Sequence, residues 1–248
     1  MGRLLVQEVA RTQGCAVGGG TGRPGSAIIG RDVAEGAGMA VTADGEALFA
    51  TCDVVIDFSV ASVAAESAAL AARHGVPLVL GTSGSGPEDQ AAIAAAGSRT
   101  AIVQPANTSL GMNVVFSLVE RAAAALGTDY DIEILGQQHR KKVDAPSGAT
   151  LALARAAGRE VDLGQVEQRG RRDAIGRRPV GAIGMATVSG GDLSVIHTVF
   201  FAGTGERLEL THRGTSRAIY TKGAVTAARW AASRPAGLYS MADVLGLA

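Results

Sequence analysis

Chemistry is concentrated in one short stretch. Gly136–Gly148, GQQHRKKVDAPSG, gathers His139, Arg140, Lys141 and Lys142 with the acid Asp144 and a Pro-Ser-Gly turn. A lysine and hydrogen-bond donors at a helix start suit the carboxylates of a small anion. A histidine or lysine poised near neutral pH can also deliver a proton. Ser147 has the side chain of a helix N-cap, and the spacing predicts a helix over Ser147–Ala157. Asp144 is suited to shaping the turn before Pro146. A second polar concentration, RGRRDAIGRRP, holds five arginines between Arg169 and Arg178. It reads as a solvated loop, with an anion-attracting flap as the alternative.

The rest of the chain bounds what that chemistry can serve. It has 248 residues, 47% hydrophobic and 19% charged, which fits one large or two small globular domains. Formal net charge is zero, so no global field draws nucleic acid or an anionic membrane, and a small-molecule ligand is expected. Cys15 and Cys52 form no metal or redox motif and read as reduced apolar residues. The N-terminus is no signal sequence, and no apolar run approaches the roughly 20 residues needed to span a bilayer. The expectation is a cytoplasmic protein without a metal.

The elements that must position these residues follow from periodicity. Gly2–Gln13 reads as a helix stopped at Gly14. The β-branched CDVVIDFS (Cys52–Ser59), VPLVL and TAIVQ read as buried strands. Between them stand an Ala-rich helix closed by Gly75 and a helix opened by Pro87. This alternation predicts a doubly wound parallel sheet, with ligands beyond the strands' carboxyl ends. After Asn107 the pattern changes to a helix over Asn113–Leu126, a strand in DYDIEILGQQH, the Ser147 helix, and three strands over Gly181–Val188, Leu193–Ala202 and Arg207–Arg213. That is an α+β unit with an open mixed sheet, largely antiparallel. Ala218–Ala232 returns to helix and GLYSMADVLGL closes the chain. The expected division is a dinucleotide-binding domain over 1–107, a substrate-binding and oligomerisation domain over 108–217, and a return to the first domain over 218–248.

A doubly wound nucleotide domain opens with a strand, a glycine turn and a helix whose N-terminus takes pyrophosphate. Here Gly2 and Arg3 look like the tail of such a turn, so the first strand and the turn are read as missing. In GGGTGRPGS, Gly22 stands where an acid would hold a ribose. Arg23 tilts the reading towards a 2′-phosphate, hence NADPH. GTSG at Gly81–Gly84 lets backbone approach a ring closely. His74 reads as a helix C-terminal residue, Asp57 as a cap and Trp230 as core. His197 and His212 lie in strand patterns and stay open between structural and functional roles.

Taken together, VVIDFS, VLGTSG, PANTSLGMNV, HRKKVDAPSG, GAIGMATV, IHTVFFAGTGERLELTHR and GLYSMADVLGL resemble the dihydrodipicolinate reductase family. The resemblance runs in order over nearly the whole chain, and KVDAPSG is its most specific piece. It implies a Rossmann-like NADH or NADPH domain and a homotetramer built on the substrate domain's open sheet. It also implies reduction of a cyclic imine dicarboxylate, 4-hydroxy-tetrahydrodipicolinate, in lysine and diaminopimelate biosynthesis. By motif, Gly81, Thr82, Ser83, Ala106 and Asn107 would lie along the nicotinamide, with Gly2, Arg3 and Arg23 on the rest of the cofactor. His139, Lys142, Ser147, Gly148 and Ala149 would hold substrate. Catalysis would fall to Lys142, His139 and the position of Gln138.

The chain departs from the family's pattern at Gln138, where a histidine is usual, and at Gly22, Ala149 and Ser189, where an acid, a threonine and an arginine are usual. An amide donates hydrogen bonds but is no general acid. Three readings stay open: the family's own reductase protonating through Lys142, His139 or water; a paralogue reducing another cyclic imine or enone; and a non-catalytic nucleotide-binding member of the fold.

Overall fold

Three apolar runs, short and mostly buried, build the sheet of the first unit: β1 (Val55–Asp57), β2 (Leu78–Leu80) and β3 (Ala101–Val103). A fourth strand, β8 (Gly237–Tyr239), joins β3 from the far end of the chain, and all three pairings are parallel in the order β1-β2-β3-β8. The computed structural model describes residues 1–82, 84–158 and 176–247. The chain divides into two units, Met1–Leu110 with Ala218–Ala248, and Gly111–Arg217.

Helices cover both faces of the first sheet, as parallel strands require. On one face α2 (Gly45–Thr51), α3 (Ala64–His74) and α4 (Pro87–Gly97) contribute Phe49, Ala68 and Ile93 to one core. On the other, α1 (Gly2–Arg11) and α7 (Ala218–Ala231) pack Leu5, Ala224 and Ala228 against Val79 and Val103. Each boundary has a local cause. The Asp44 carboxylate caps α2 by accepting from the Ala47 amide at 3.0 Å. Gly75 ends α3 in the left-handed conformation, φ 66°. The closing GLYSMADVLGL supplies a strand as well as a helix, α8 (Met241–Leu245), capped by Ser240.

The second unit holds α5 (Leu110–Leu126), β4 (Asp131–Gln138), α6 (Gly148–Ala156), β5 (Ile183–Ser189), β6 (Val195–Ala202) and β7 (Arg207–Gly214). Its strand order is β5-β4-β6-β7, with β4 parallel to β5 and antiparallel to β6. The sheet is thus mixed, and β5 is the strand that breaks the antiparallel pattern. Strict alternation along β4 puts Ile132, Ile134, Gly136 and Gln138 on the buried face, opposite Phe201, Val199 and His197 of β6. Met112, Val115 and Val119 of α5 and Leu153 and Ala154 of α6 complete that core. Gly136 is what lets α6 approach β4: a Cβ there would lie 3.0 Å from the Thr150 hydroxyl.

Two expectations change here. Leu110–Asp129 is long and apolar enough to cross a membrane by length and composition, contrary to the sequence reading. Its residues Met112, Val115 and Val119 pack in the second unit's core, while Val114 and Leu118 are exposed along with Glu120 and Arg121. Within the arginine-rich segment, residues 169–175 lie outside the described residues. Arg178 is no free anion receptor: its guanidinium donates to Glu133 at 2.8 Å, Asp131 at 2.7 Å and the Ile132 and Ala182 carbonyls at 2.8 and 2.6 Å.

Helix α7 passes so close to the chain before α5 that a Cβ on Gly223 would sit 1.6 Å from the Thr108 carbonyl oxygen. Gly223→Ala is expected to cost about 1–3 kcal/mol or more, seen as a melting temperature lower by roughly 4–10 °C. An unchanged melting temperature would contradict this packing.

Candidate active site

Parallel pairing puts the carboxyl ends of β1, β2 and β3 on one edge of the first sheet, so the loops opening at Phe58, Gly81 and Gln104 all start there. The Asp57 carboxylate accepts from the Ser59 amide and the Ser67 hydroxyl, both at 2.7 Å, and ties the first loop to α3. Gly81 donates to the Asp57 carbonyl at 2.8 Å, and a Cβ on it would lie 2.3 Å from the Phe58 ring. Backbone here is therefore pressed against an aromatic ring. Thr82 beside it has a buried hydroxyl with no hydrogen-bond partner among the described residues. In the third loop Ala106 is exposed, and the Asn107 side chain accepts from the Ser109 amide at 2.8 Å. Ser83 lies outside the described residues.

The remaining candidates of this unit stand elsewhere along the chain. Gly2 and Arg3 form the first turn of α1. Arg23 is exposed in its own loop. A Cβ on Gly22 would lie 2.8 Å from the tip of the exposed Ile28 side chain.

In the second unit the candidates converge. Gln138 ends β4 and is 4% exposed. Its amide nitrogen donates to the Asp144 carbonyl at 3.1 Å and to the Ser189 hydroxyl at 3.2 Å, so both its hydrogens are engaged. Gln138 and Ser189, two of the positions where the chain departs from the family's pattern, are thus partners of one another. Beyond Gln138 the chain turns through His139, whose carbonyl accepts from the Lys142 amide at 3.1 Å. His139 is half-buried, and its Nδ1 has no hydrogen-bond partner among the described residues. The Lys142 ammonium pairs with the Asp144 carboxylate at 2.5 Å. Burial raises the Asp144 pKa, but the Lys142 hydrogen bond and charge, with the Asp144 and Gly148 amides, outweigh that and hold it below the usual range. The chain's own carboxylate thus lies against Lys142 and the α6 N-terminus, the chemistry a ligand carboxylate would need.

Ser147 caps α6 as expected, accepting from the Thr150 amide at 3.1 Å. Gly148 and Ala149 follow as the first two residues of the helix. The contact left open in the sequence is His197, whose Nε2 lies 3.0 Å from the Ser147 hydroxyl. Strand alternation alone put His197 on the same face as Gly136, and no local signal joined it to a serine so distant in sequence. Burial pushes the His197 imidazole down to about 4, with the nearby His212 and Lys142 charges adding to the effect. His212, its register partner on β7, is lowered by burial as well. Among the described residues no cluster of His, Cys, Asp and Glu could hold a metal. This arrangement can grip an anion through Lys142 and helix amides, and it keeps neutral imidazoles beside that grip.

Comparison with known proteins bears on both units. The family described as dihydrodipicolinate reductase, N-terminus, matches residues 1–108, and dihydrodipicolinate reductase, C-terminus, matches residues 111–245. A 4-hydroxy-tetrahydrodipicolinate reductase of Methylocella silvestris is 47% identical over 254 residues, covering 100% of this chain and 93% of the relative. Enzymes of the same name from Thiobacillus denitrificans and Magnetococcus marinus are 44% and 43% identical, covering 100% and 99% of this chain and 95% and 94% of theirs. Among solved structures, a dipicolinate-bound dihydrodipicolinate reductase from Paenisporosarcina sp. TG-14 superposes with a TM-score of 0.76 at 20% identity, over 97% of this chain and 93% of that one. That likeness carries the fold: an α/β Rossmann-like unit and a second unit on a mixed sheet.

A histidine buried neutral has a definite pH signature. Unfolded, His197 takes up its proton near 6.5; folded, only near 4. The unfolded state therefore binds more protons across that window, and stability falls as pH drops through it. Urea midpoints are expected to fall more for the wild type than for His197→Gln between pH 6.5 and about 4. Equal losses would contradict the assignment.

Proposed function

The chain belongs to the dihydrodipicolinate reductase family, and on that premise we propose that it reduces 4-hydroxy-tetrahydrodipicolinate to tetrahydrodipicolinate with NADPH or NADH, in lysine and diaminopimelate biosynthesis. The observation that carries the reading is the Lys142 ammonium held, with the Asp144 carboxylate, beside the Ser147-capped start of α6. A dicarboxylate needs such a cation and such amides. In the second unit we assign substrate contact to His139, Lys142, Gly148 and Ala149, with Ser147 as the cap.

The first unit fits a pyridine nucleotide. Gly81 offers bare backbone against Phe58, and the buried Thr82 hydroxyl is ready for a partner. Gly81, Thr82, Ala106 and Asn107 would hold the nicotinamide, and Gly2 and Arg3 the phosphates near α1. When bound, the nucleotide supplies the hydride. The conversion replaces a hydroxyl by hydrogen, so it consumes a hydride and a proton and releases water. Lys142 is the group we assign as proton donor, since its ammonium both neutralises a carboxylate and carries a transferable proton. Gln138 has no proton to give, and its two hydrogen bonds hold the 139–146 loop to β5.

Arg23 supports NADPH over NADH, because Gly22 carries no acid to take a ribose 2′-hydroxyl and the arginine beside it suits a 2′-phosphate. The second sheet's other face carries Leu135, Thr198 and Phe200; we assign it to a homotetramer. The free thiols of Cys15 and Cys52 suit a cytoplasmic enzyme. A second reading, a reductase of another cyclic imine, rests on Gln138 and Ser189 standing in place of a histidine and an arginine.

NADPH oxidation should follow addition of the hydroxylated tetrahydrodipicolinate precursor, and Lys142→Met should lower kcat by roughly 10²–10⁴-fold. Turnover of other cyclic imines without turnover of this precursor would favour the second reading. In fluorescence titrations Arg23→Ala should weaken NADPH by about tenfold, the loss of one charge-assisted contact, and leave NADH unchanged; equal effects on both would remove Arg23 from the cofactor site.

A further inference from the structure

Ser147 has more neighbours than a cap requires. Its Oγ lies 3.1 Å from the Thr150 amide nitrogen, 2.9 Å from the Thr150 hydroxyl and 3.0 Å from His197 Nε2. A hydroxyl has one hydrogen and two lone pairs, so three partners saturate it. The amide takes one lone pair. Of the other two neighbours, one must donate to Ser147 and the other must accept its hydrogen. Whichever way the protons run, Ser147 has no hydrogen left for a ligand. The remaining donors at this helix end are then the backbone amides of Gly148 and Ala149, the first of which donates to the Asp144 carboxylate that a ligand carboxylate would replace.

The His197 ring fixes the direction. It is 4% exposed, and its Nδ1 is buried without a hydrogen-bond partner among the described residues. A proton on Nδ1 would leave a donor buried with no acceptor. A proton on Nε2 leaves only an unused lone pair, the lesser fault in a protein interior. His197 Nε2–H therefore donates to Ser147, and Ser147 donates to Thr150. The ring sits on a central strand, beside Gly136 and paired in register with His212. A rigid strand thus reaches across the core to hold the first turn of α6.

We propose that His197 is a positioning residue for carboxylate binding: through Ser147 it locks the α6 start so that the Gly148 and Ala149 amides face the ligand. This rests on the reading of α6 as the dicarboxylate grip. The two are separable with dipicolinate, the ligand bound to the Paenisporosarcina reductase, as the calorimetric probe on the full chain.

His197→Leu is expected to weaken dipicolinate roughly tenfold, the size of a lost helix cap, with nucleotide affinity unchanged. His197→Gln, whose amide reaches the Nε2 position, should stay within about threefold of wild type. Ser147→Ala should match His197→Leu, and the double variant should be no weaker than either, because both act through one network. Wild-type binding in His197→Leu alongside weakened binding in Ser147→Ala would overturn the positioning role and leave the grip standing. Unchanged binding in both would likewise overturn the positioning role, and a wild-type chain that binds nucleotide but no dipicolinate would overturn the grip. Ring-nitrogen NMR of the histidine-labelled wild type needs no variant to fold: a proton on Nε2 supports the proposal, and one on Nδ1 overturns it.

Discussion

The first amides of a helix have no partners within it, and in the second unit the structure around Ser147 is arranged to satisfy one and present others. Ser147 takes the Thr150 amide, and His197 holds Ser147 from β6. Gly136 lacks the side chain that would push α6 off β4. Lys142 brings a positive charge to the same end, with Asp144 balancing it. In a chain of zero net charge, any grip on an anion must come from local arrangement, and here one cation, one short helix and a buried ring stand together.

The departures from the family pattern fit this arrangement. Gln138 is not an isolated loss. Its amide spans from the loop carbonyl of Asp144 to the Ser189 hydroxyl. A histidine and an arginine at these positions would bring proton and charge; a glutamine and a serine bring two neutral hydrogen bonds that fix the loop. The Lys142 ammonium, to which we assign proton delivery, sits on that same loop.

Much of this was legible in the residues because its causes are local. Alternation along Ile132–Gln138 marked a half-buried strand, Ser147 marked a cap, and Gly75 and Pro87 marked helix ends. What was hidden depends on distant partners. The closing strand β8 is only three residues, Gly237–Tyr239, and gains its identity from pairing with β3. Arg178 looked like part of a solvated run, yet Asp131 and Glu133 hold it to β4. His197 looked like any strand histidine until the fold set it against Ser147. The apolar composition of α5 does not say which of its faces is buried; the fold sets Met112, Val115 and Val119 in the core and leaves Val114 and Leu118 exposed.

If the amides opening α6 receive a substrate carboxylate, the Gly148 and Ala149 amide NMR signals must respond to a dipicolinate titration. Both are expected to move downfield, as amides do when they donate to an anion, and to saturate at the affinity measured by calorimetry. Binding that leaves both signals in place would contradict the carboxylate grip.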